Sequence, residues 1–166
     1  AYHGDTIGAV SVGGVEEYHR LYKPLMFSSI KVKSPDCSTC PKRKPEFTLD
    51  ASKCGCNMEC FAEMEKAIVE HADETAAIIL EPLIQCSGGM LVYRKEYLQL
   101  LEKTAKNNNV LVIYDEVATG FGRCGTMFGY EQSGTHPDLI CLSKRITAGF
   151  MPLSVTVVTD EIYNAF

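Results

Sequence analysis

Apolar residues recur along this chain in two rhythms. Phe61, Met64, Ile68 and Ala72 fall at steps of three and four, which predicts a helix over about 58–72 with one buried stripe. Tyr97, Leu98, Leu101 and Ala105 repeat that rhythm within Arg94–Asn107, and Asn107-Asn108-Asn109 supplies the stop. Between and after these helices stand short unbroken apolar runs, Ala76–Leu80, Val110–Tyr114 and Leu139–Leu142, which read as buried strands; Ser154–Val158 alternates weakly and is a further candidate. Strands separated by helical stretches of about 12 to 15 residues make βαβ units, so the expected fold is α/β with a mostly parallel sheet flanked by helices.

The first third is less regular. Tyr2-His3-Gly4 reads as a loop, and Gly13-Gly14 breaks the small and apolar segment that follows. Tyr18, Leu21, Tyr22, Leu25 and Met26 keep a loose helical spacing that Pro24 interrupts. Residues 31–57 are rich in Pro, Lys and Cys without periodicity and are expected to form a surface excursion, the core of a Cys-rich insert at 31–60. There is no internal repeat.

Composition narrows the picture modestly. The 166 residues suffice for one domain burying roughly 70% of its unfolded surface. A net charge of −5 without a long basic stripe argues against a nucleic-acid partner. No apolar run approaches the ~18 residues of a membrane span.

The chemistry lies at the strand ends. Val110–Tyr114 delivers Asp115, and Leu139–Leu142 delivers Lys144 just beyond its end. Ligands of open α/β sheets bind outside the carboxyl ends of strands, so the two groups should meet in one crevice. A lysine able to form an imine and an aspartate able to pair with a pyridinium nitrogen are what pyridoxal phosphate chemistry requires. The segment Asp115-Glu116-Val117 through Ser143-Lys144, with Tyr2-His3-Gly4 upstream, resembles the class III aminotransferases of fold type I. Asp5-Thr6-Ile7-Gly8, Glu81-Pro82, Gly88-Gly89-Met90 and Pro152-Leu153-Ser154 narrow the resemblance to the branch serving biotin synthesis.

The resemblance implies the large, cofactor-binding domain of fold type I, here incomplete. It also implies pyridoxal 5'-phosphate as cofactor, an amine donor and a keto acceptor as small-molecule partners, a homodimer at full length, and a cytoplasmic location. Because the chain opens inside a motif and is far shorter than such enzymes, residues 1–166 are expected to be a central piece of that domain and inactive in isolation. The glycine-serine phosphate loop and the partner-subunit threonine of the family are not among them.

Residue by residue, the resemblance makes Lys144 the covalent anchor and proton carrier. The bland alternative is a solvated lysine, against which the apolar neighbours Cys141, Leu142 and Ile146 and the adjacent cation Arg145 favour a reactive amine. Asp115 would support the protonated ring nitrogen, or merely cap the next turn. Val117 and Tyr2 would pack against the two ring faces, Tyr2 being otherwise a core aromatic. His3 and Gly4 share the loop of Tyr2. Glu81 would lie near the phenolic oxygen of the cofactor. Tyr2, Asp5 and Arg123 would line the substrate side, although Asp5-Thr6 also suits a helix N-cap and Arg123 a solvated loop. Glu116 is equally well a buried structural carboxylate.

Cys37-x2-Cys40 is half of a zinc knuckle, but Cys54-x-Cys56-x3-Cys60 is not its regular partner. Free thiols are therefore expected at these five cysteines, with metal binding as the alternative.

Overall fold

The computed structural model describes residues 1–42 and 55–166. Its framework is a four-stranded sheet of β1 (Ala77–Leu80), β4 (Leu111–Asp115), β5 (Leu139–Leu142) and β6 (Val155–Val158), in the order β1-β4-β5-β6. The first three strands are parallel and β6 is antiparallel to β5. A small hairpin of β2 (Ile84–Gln85) and β3 (Leu91–Val92) follows β1. The helices are α1 (Ile7–Val12), α2 (Glu16–His19), α3 (Ala62–Glu70), α4 (Glu96–Asn107) and α5 (Asp160–Tyr163).

The helix α4 sets the frame. Its expected inner face, Tyr97, Leu98, Leu101 and Ala105, is fully buried, and it joins Phe61, Ile68, Leu80, Val112 and Tyr114 in one core. Burying a leucine completely is worth about 1.5–3 kcal/mol. The helix ends in a Schellman arrangement. Asn109 takes a left-handed φ of 56°, the Val110 amide donates to the Ala105 carbonyl at 3.0 Å, and the Asn109 amide to Lys106 at 3.4 Å. The chain thus reverses directly into β4 and aims Asp115 at the far edge of the sheet.

Asp138 then locks the next strand in register. Its amide donates to the Val112 carbonyl at 2.9 Å while its carboxylate accepts the Val112 amide at 2.8 Å. Leu80 pairs with Tyr114, Asp115 with Cys141, and Leu142 with Val155. Glu81, Asp115 and Lys144 therefore leave the sheet at one edge.

Several elements differ from the periodicity. Residues 58–72 form a short 3₁₀ turn at Glu59–Phe61, then α3, and α3 stops at Glu70. After α2 the chain becomes a 3₁₀ helix over Arg20–Leu25, because Pro24 cannot donate an amide, and none of its residues is buried. The small residues Ile7–Val12 form α1, capped at its end by Lys31, whose Nζ donates to the carbonyls of Ser11 (2.7 Å) and Gly13 (2.6 Å). Residues 31–42 are not purely a surface excursion. Pro35 is buried, Cys37 packs against the core, and the Cys37 amide donates to the Val92 carbonyl of β3 at 2.8 Å. The expectation for Cys54 falls outside the described residues.

Candidate active site at the carboxyl edge of the sheet

Asp115 ends β4 nearly buried, and both of its oxygens are committed. Oδ2 accepts a hydrogen bond from His3 Nδ1 at 2.8 Å, and Oδ1 accepts the Val117 amide at 3.0 Å. The carboxylate therefore caps its turn and is also aimed by a histidine from the opening loop, itself almost wholly buried. Two fixed donors hold one rotamer, as required of a charge meant to face a partner of defined position.

Glu81 lies beside it at the end of β1. Its Oε2 accepts the Cys86 amide at 2.9 Å, whereas Oε1 is buried and has no partner among the described residues. Burial pushes the Glu81 carboxyl above its ordinary range. The Cys86 amide opposes that shift, the charge of Asp115 adds to it, and His3 opposes it. The phenol of Tyr93 beneath donates to the Glu81 carbonyl at 2.5 Å and fixes the backbone there.

Lys144 follows β5 with φ at +23°, a backbone conformation that L residues rarely adopt. Such a residue costs about 1–3 kcal/mol and persists only where its surroundings impose it. Here the Ser143 hydroxyl donates to the Leu153 carbonyl at 2.8 Å, the Ile146 amide donates to the Ser143 carbonyl at 2.9 Å, and Thr147 Oγ1 donates to Met151 at 2.6 Å. Lys144 itself is exposed. The expected partial withdrawal from water is thus not supplied by its apolar neighbours: Leu142 is buried and Cys141 and Ile146 are half-buried, while the lysine is exposed at the strained position.

The Cys86 thiol feels the charges of several of these groups. Burial raises its pKa, Glu81 raises it further, Lys144 and Arg123 lower it, and Asp115 raises it. Of these groups Glu81 touches Cys86 directly, through the Cys86 amide. Cys86 carries no sequence signal as a site residue. Only the hairpin that folds it back beside β1 reveals it.

The other expected residues divide. Tyr2 is half-buried, packs edge-on against Tyr18 (ring centroids 5.6 Å apart) and lies parallel to His19 at 6.4 Å. Its phenol is held above its ordinary range first by a hydrogen bond to Asp5 and then by burial. Asp5 does not cap α1; the N-cap is Thr6, without a side-chain bond. Gly4 has φ at +124°, which lets the opening loop turn between Tyr2-His3 and α1. Val117 is half-buried and Arg123 exposed, with Arg123 on the Cys86 side of the loop.

Glu116 is structural. It is fully buried and accepts the Thr119 hydroxyl, the Gly129 amide at 3.0 Å and the Tyr130 amide at 2.9 Å. Burial raises its pKa against those three donors. It closes the loop 116–130 that carries Arg123. Gly120 is required in this loop, since a Cβ there would lie 2.9 Å from the Glu116 carbonyl.

A sheet edge that offers an oriented aspartate, a buried unpaired glutamate oxygen, an outward lysine on a strained turn and a nearby arginine defines a class of protein. The chain belongs to the class III aminotransferases, whose family description, Aminotransferase class-III, fits residues 1–166. Among curated relatives it is 43% identical over 166 residues to the adenosylmethionine-8-amino-7-oxononanoate aminotransferase of Geobacter sulfurreducens, covering 100% of this chain and 35% of that protein. The enzyme of the same name from Methanocaldococcus jannaschii is 44% identical over 169 residues, covering 99% and 37%. The crystal structure of the M. jannaschii enzyme superposes with a TM-score of 0.81 at 41% identity, covering 99% of this chain and 34% of that one. A Bacillus anthracis aminotransferase superposes with a TM-score of 0.85 at 34% identity, covering 99% and 35%. The chain thus spans about a third of the length of these relatives, and the mostly parallel sheet is the fold type I sheet of the class.

Proposed function

We propose that this chain forms the central wall of a pyridoxal-5'-phosphate-dependent site that transfers an amino group to 8-amino-7-oxononanoate, yielding 7,8-diaminononanoate for biotin synthesis. The amino donor would be S-adenosylmethionine or lysine. The observation that carries the reading is the strand register that brings oriented Asp115, Glu81, whose buried Oε1 has no partner among the described residues, and Lys144 to one sheet edge. The relatives at 43–44% identity bear the name of that reaction, which supports the choice of keto acceptor.

The residues present fit the cofactor. The buried Oε1 of Glu81 lacks the partner that a buried oxygen requires, and the committed geometry of Asp115 leaves its charge facing the crevice. Lys144 would anchor the group, Asp115 would meet its ring nitrogen, Tyr2 and Val117 its faces, and Glu81 its phenolic oxygen, with His3 and Gly4 holding the surrounding loop. When bound, the cofactor supplies an aldehyde that condenses with amines and a protonated ring that withdraws electrons.

Each side chain then has a defined task. The Asp115 carboxylate, held by His3 and the Val117 amide, would favour a protonated ring nitrogen on the cofactor by Coulomb attraction. The Lys144 amine would hold the cofactor and would carry a proton between positions on the substrate. Arg123 and Asp5 stand on the substrate side, where a cation and an anion orient an amino-acid-like molecule. Donor and acceptor would use this one site in turn. The full-length assembly would be a cytoplasmic homodimer, a reading that rests on the family.

The test is borohydride reduction of the full-length protein loaded with pyridoxal phosphate, followed by peptide mapping and a donor screen with 8-amino-7-oxononanoate. Label on the Lys144 peptide and turnover with that acceptor are expected. Label on another lysine removes the site assignment, and turnover confined to ω-amino acids or diamines moves the substrate to another branch of the class.

A further inference from the structure

Along residues 16–25 a single side chain goes inward. His19, at the end of α2, is 3% exposed, while every other residue of α2 and of the 3₁₀ turn Arg20–Leu25 is exposed. Hydrophobicity does not account for the choice, since Tyr18, Leu21, Tyr22 and Leu25 all remain outside.

The imidazole is received by Gly13. A Cβ at that position would stand 2.3 Å from His19 Cε1 and 3.0 Å from Nε2, so the ring occupies the space a side chain there would take. Gly13 has φ at −69°, which any residue can adopt, and its missing side chain therefore serves this close approach. Two bonds hold the seat. Lys31 Nζ donates to the Gly13 carbonyl at 2.6 Å, and the Gly14 amide donates to the Ala1 carbonyl at 2.7 Å, one residue before Tyr2.

From that seat His19 lies along Tyr2, with ring centroids 6.4 Å apart and planes 16° apart. Tyr18 meets both rings edge-on, at 5.6 Å from Tyr2 and 6.5 Å from His19. Offset and edge-to-face pairs attract at these separations. The Tyr2 phenol is bonded to Asp5. The buried Nε2 of His19 has no partner among the described residues. A buried nitrogen without a partner costs stability, so what the histidine contributes here is its flat ring and not a bond from that nitrogen.

We propose that His19, seated on Gly13, is a positioning residue that sets the plane of Tyr2 and so the tilt of one aromatic wall of the site. The role rests on the assignment of Tyr2 to a face of the cofactor ring. Rotation of a tyrosine ring about χ2 is intrinsically broad, and the bond to Asp5 holds only its tip. A parallel neighbour narrows that rotation, and a planar ligand then meets a surface of fixed orientation.

The test uses full-length protein loaded with pyridoxal phosphate, and compares His19→Gln, Gly13→Ala and Tyr2→Ala with the unaltered chain. His19→Gln removes the ring but keeps a polar side chain, and Gly13→Ala displaces the ring without altering His19 or Tyr2. Visible circular dichroism of the bound cofactor reports the asymmetry of its surroundings and is read beside kcat and KM. Both His19→Gln and Gly13→Ala should weaken the dichroic band and lower kcat about tenfold, with KM changed less, because a misplaced wall costs orientation more than binding. In the Tyr2→Ala background His19→Gln should add less than about twofold, since its effect runs through Tyr2. An undiminished band and kcat in His19→Gln, beside a Tyr2→Ala protein that loses both, overturns the positioning role alone. An equal His19→Gln effect with and without Tyr2 also overturns it, by reducing His19 to packing. If His19→Gln does not fold, Gly13→Ala decides by the same criteria. Normal dichroism and turnover in Tyr2→Ala removes Tyr2 from the site, and the role of His19 with it.

Discussion

At Asp115 the distinction between a turn cap and a functional charge dissolves, since one oxygen serves each purpose. On the proposed reading His3 would be a positioning residue, acting through Asp115. His3→Phe should keep the fold and cofactor loading while lowering kcat more than it raises KM, by roughly 10–100-fold if it resembles other second partners of a catalytic group. Steady-state kinetics of the loaded full-length protein check this, and an unchanged kcat would reduce His3 to packing. Asp115→Asn should slow turnover by several orders of magnitude with little change in thermal midpoint, because the interaction lost is strongest in the transition state.

Glu81 makes a pH prediction. Its carboxyl is raised above the ordinary value of 4.5 in the folded chain, chiefly by burial. The unfolded chain therefore releases this proton first, so Glu81 favours folding below 4.5 and opposes it increasingly as pH rises from 4.5 through the raised value. Replacing it by the neutral isostere, Glu81→Gln, should flatten that decline. Denaturation at a series of pH values compares the two chains, and superimposable profiles would show that the unpaired Oε1 is compensated.

Among the elements, α4 bears most of the packing and sets the direction of β4. Leu101 is fully buried against that core, and Leu101→Ala should destabilise the chain by about 2–5 kcal/mol. Chemical denaturation measures the loss. A change below about 1 kcal/mol would mean that the core relaxes around the cavity. By contrast the 3₁₀ segment Arg20–Leu25 buries nothing, although its apolar residues keep near-helical spacing. The sequence reads there as a loose helical spacing interrupted by Pro24, and the 3₁₀ segment with exposed Leu21 and Leu25 agrees with that interruption.

For the whole molecule, the exposed apolar surface is the conspicuous property. Phe150, Met151, Leu153, Val155 and Val157 line the antiparallel edge and the turn leading to it, and β6 is open on its outer side. Unpaired edges and contiguous apolar surface promote association. The 166-residue chain should therefore associate with rising concentration in sedimentation experiments, and Val155→Lys/Val157→Lys should shift it toward monomer. A wild-type chain that stays monomeric at every concentration would show that this face is stable in water.

The sequence by itself determined the α/β class, the three parallel strands, the inner face of α4 and its Asn stop, and the delivery of Asp115 and Lys144 at strand ends. These follow from periodicity and turn chemistry, which act between residues a few positions apart. Tertiary structure alone decided the rest. It brought His3 across 112 positions to Asp115, left Glu81 Oε1 without a partner among the described residues, folded the Cys86 amide onto Glu81 and turned Glu116 into the clasp of its loop. It also set Lys144 on a strained, exposed turn where local composition pointed to burial. These outcomes depend on strand register and on which side chains share a low-dielectric space, and no local pattern encodes either.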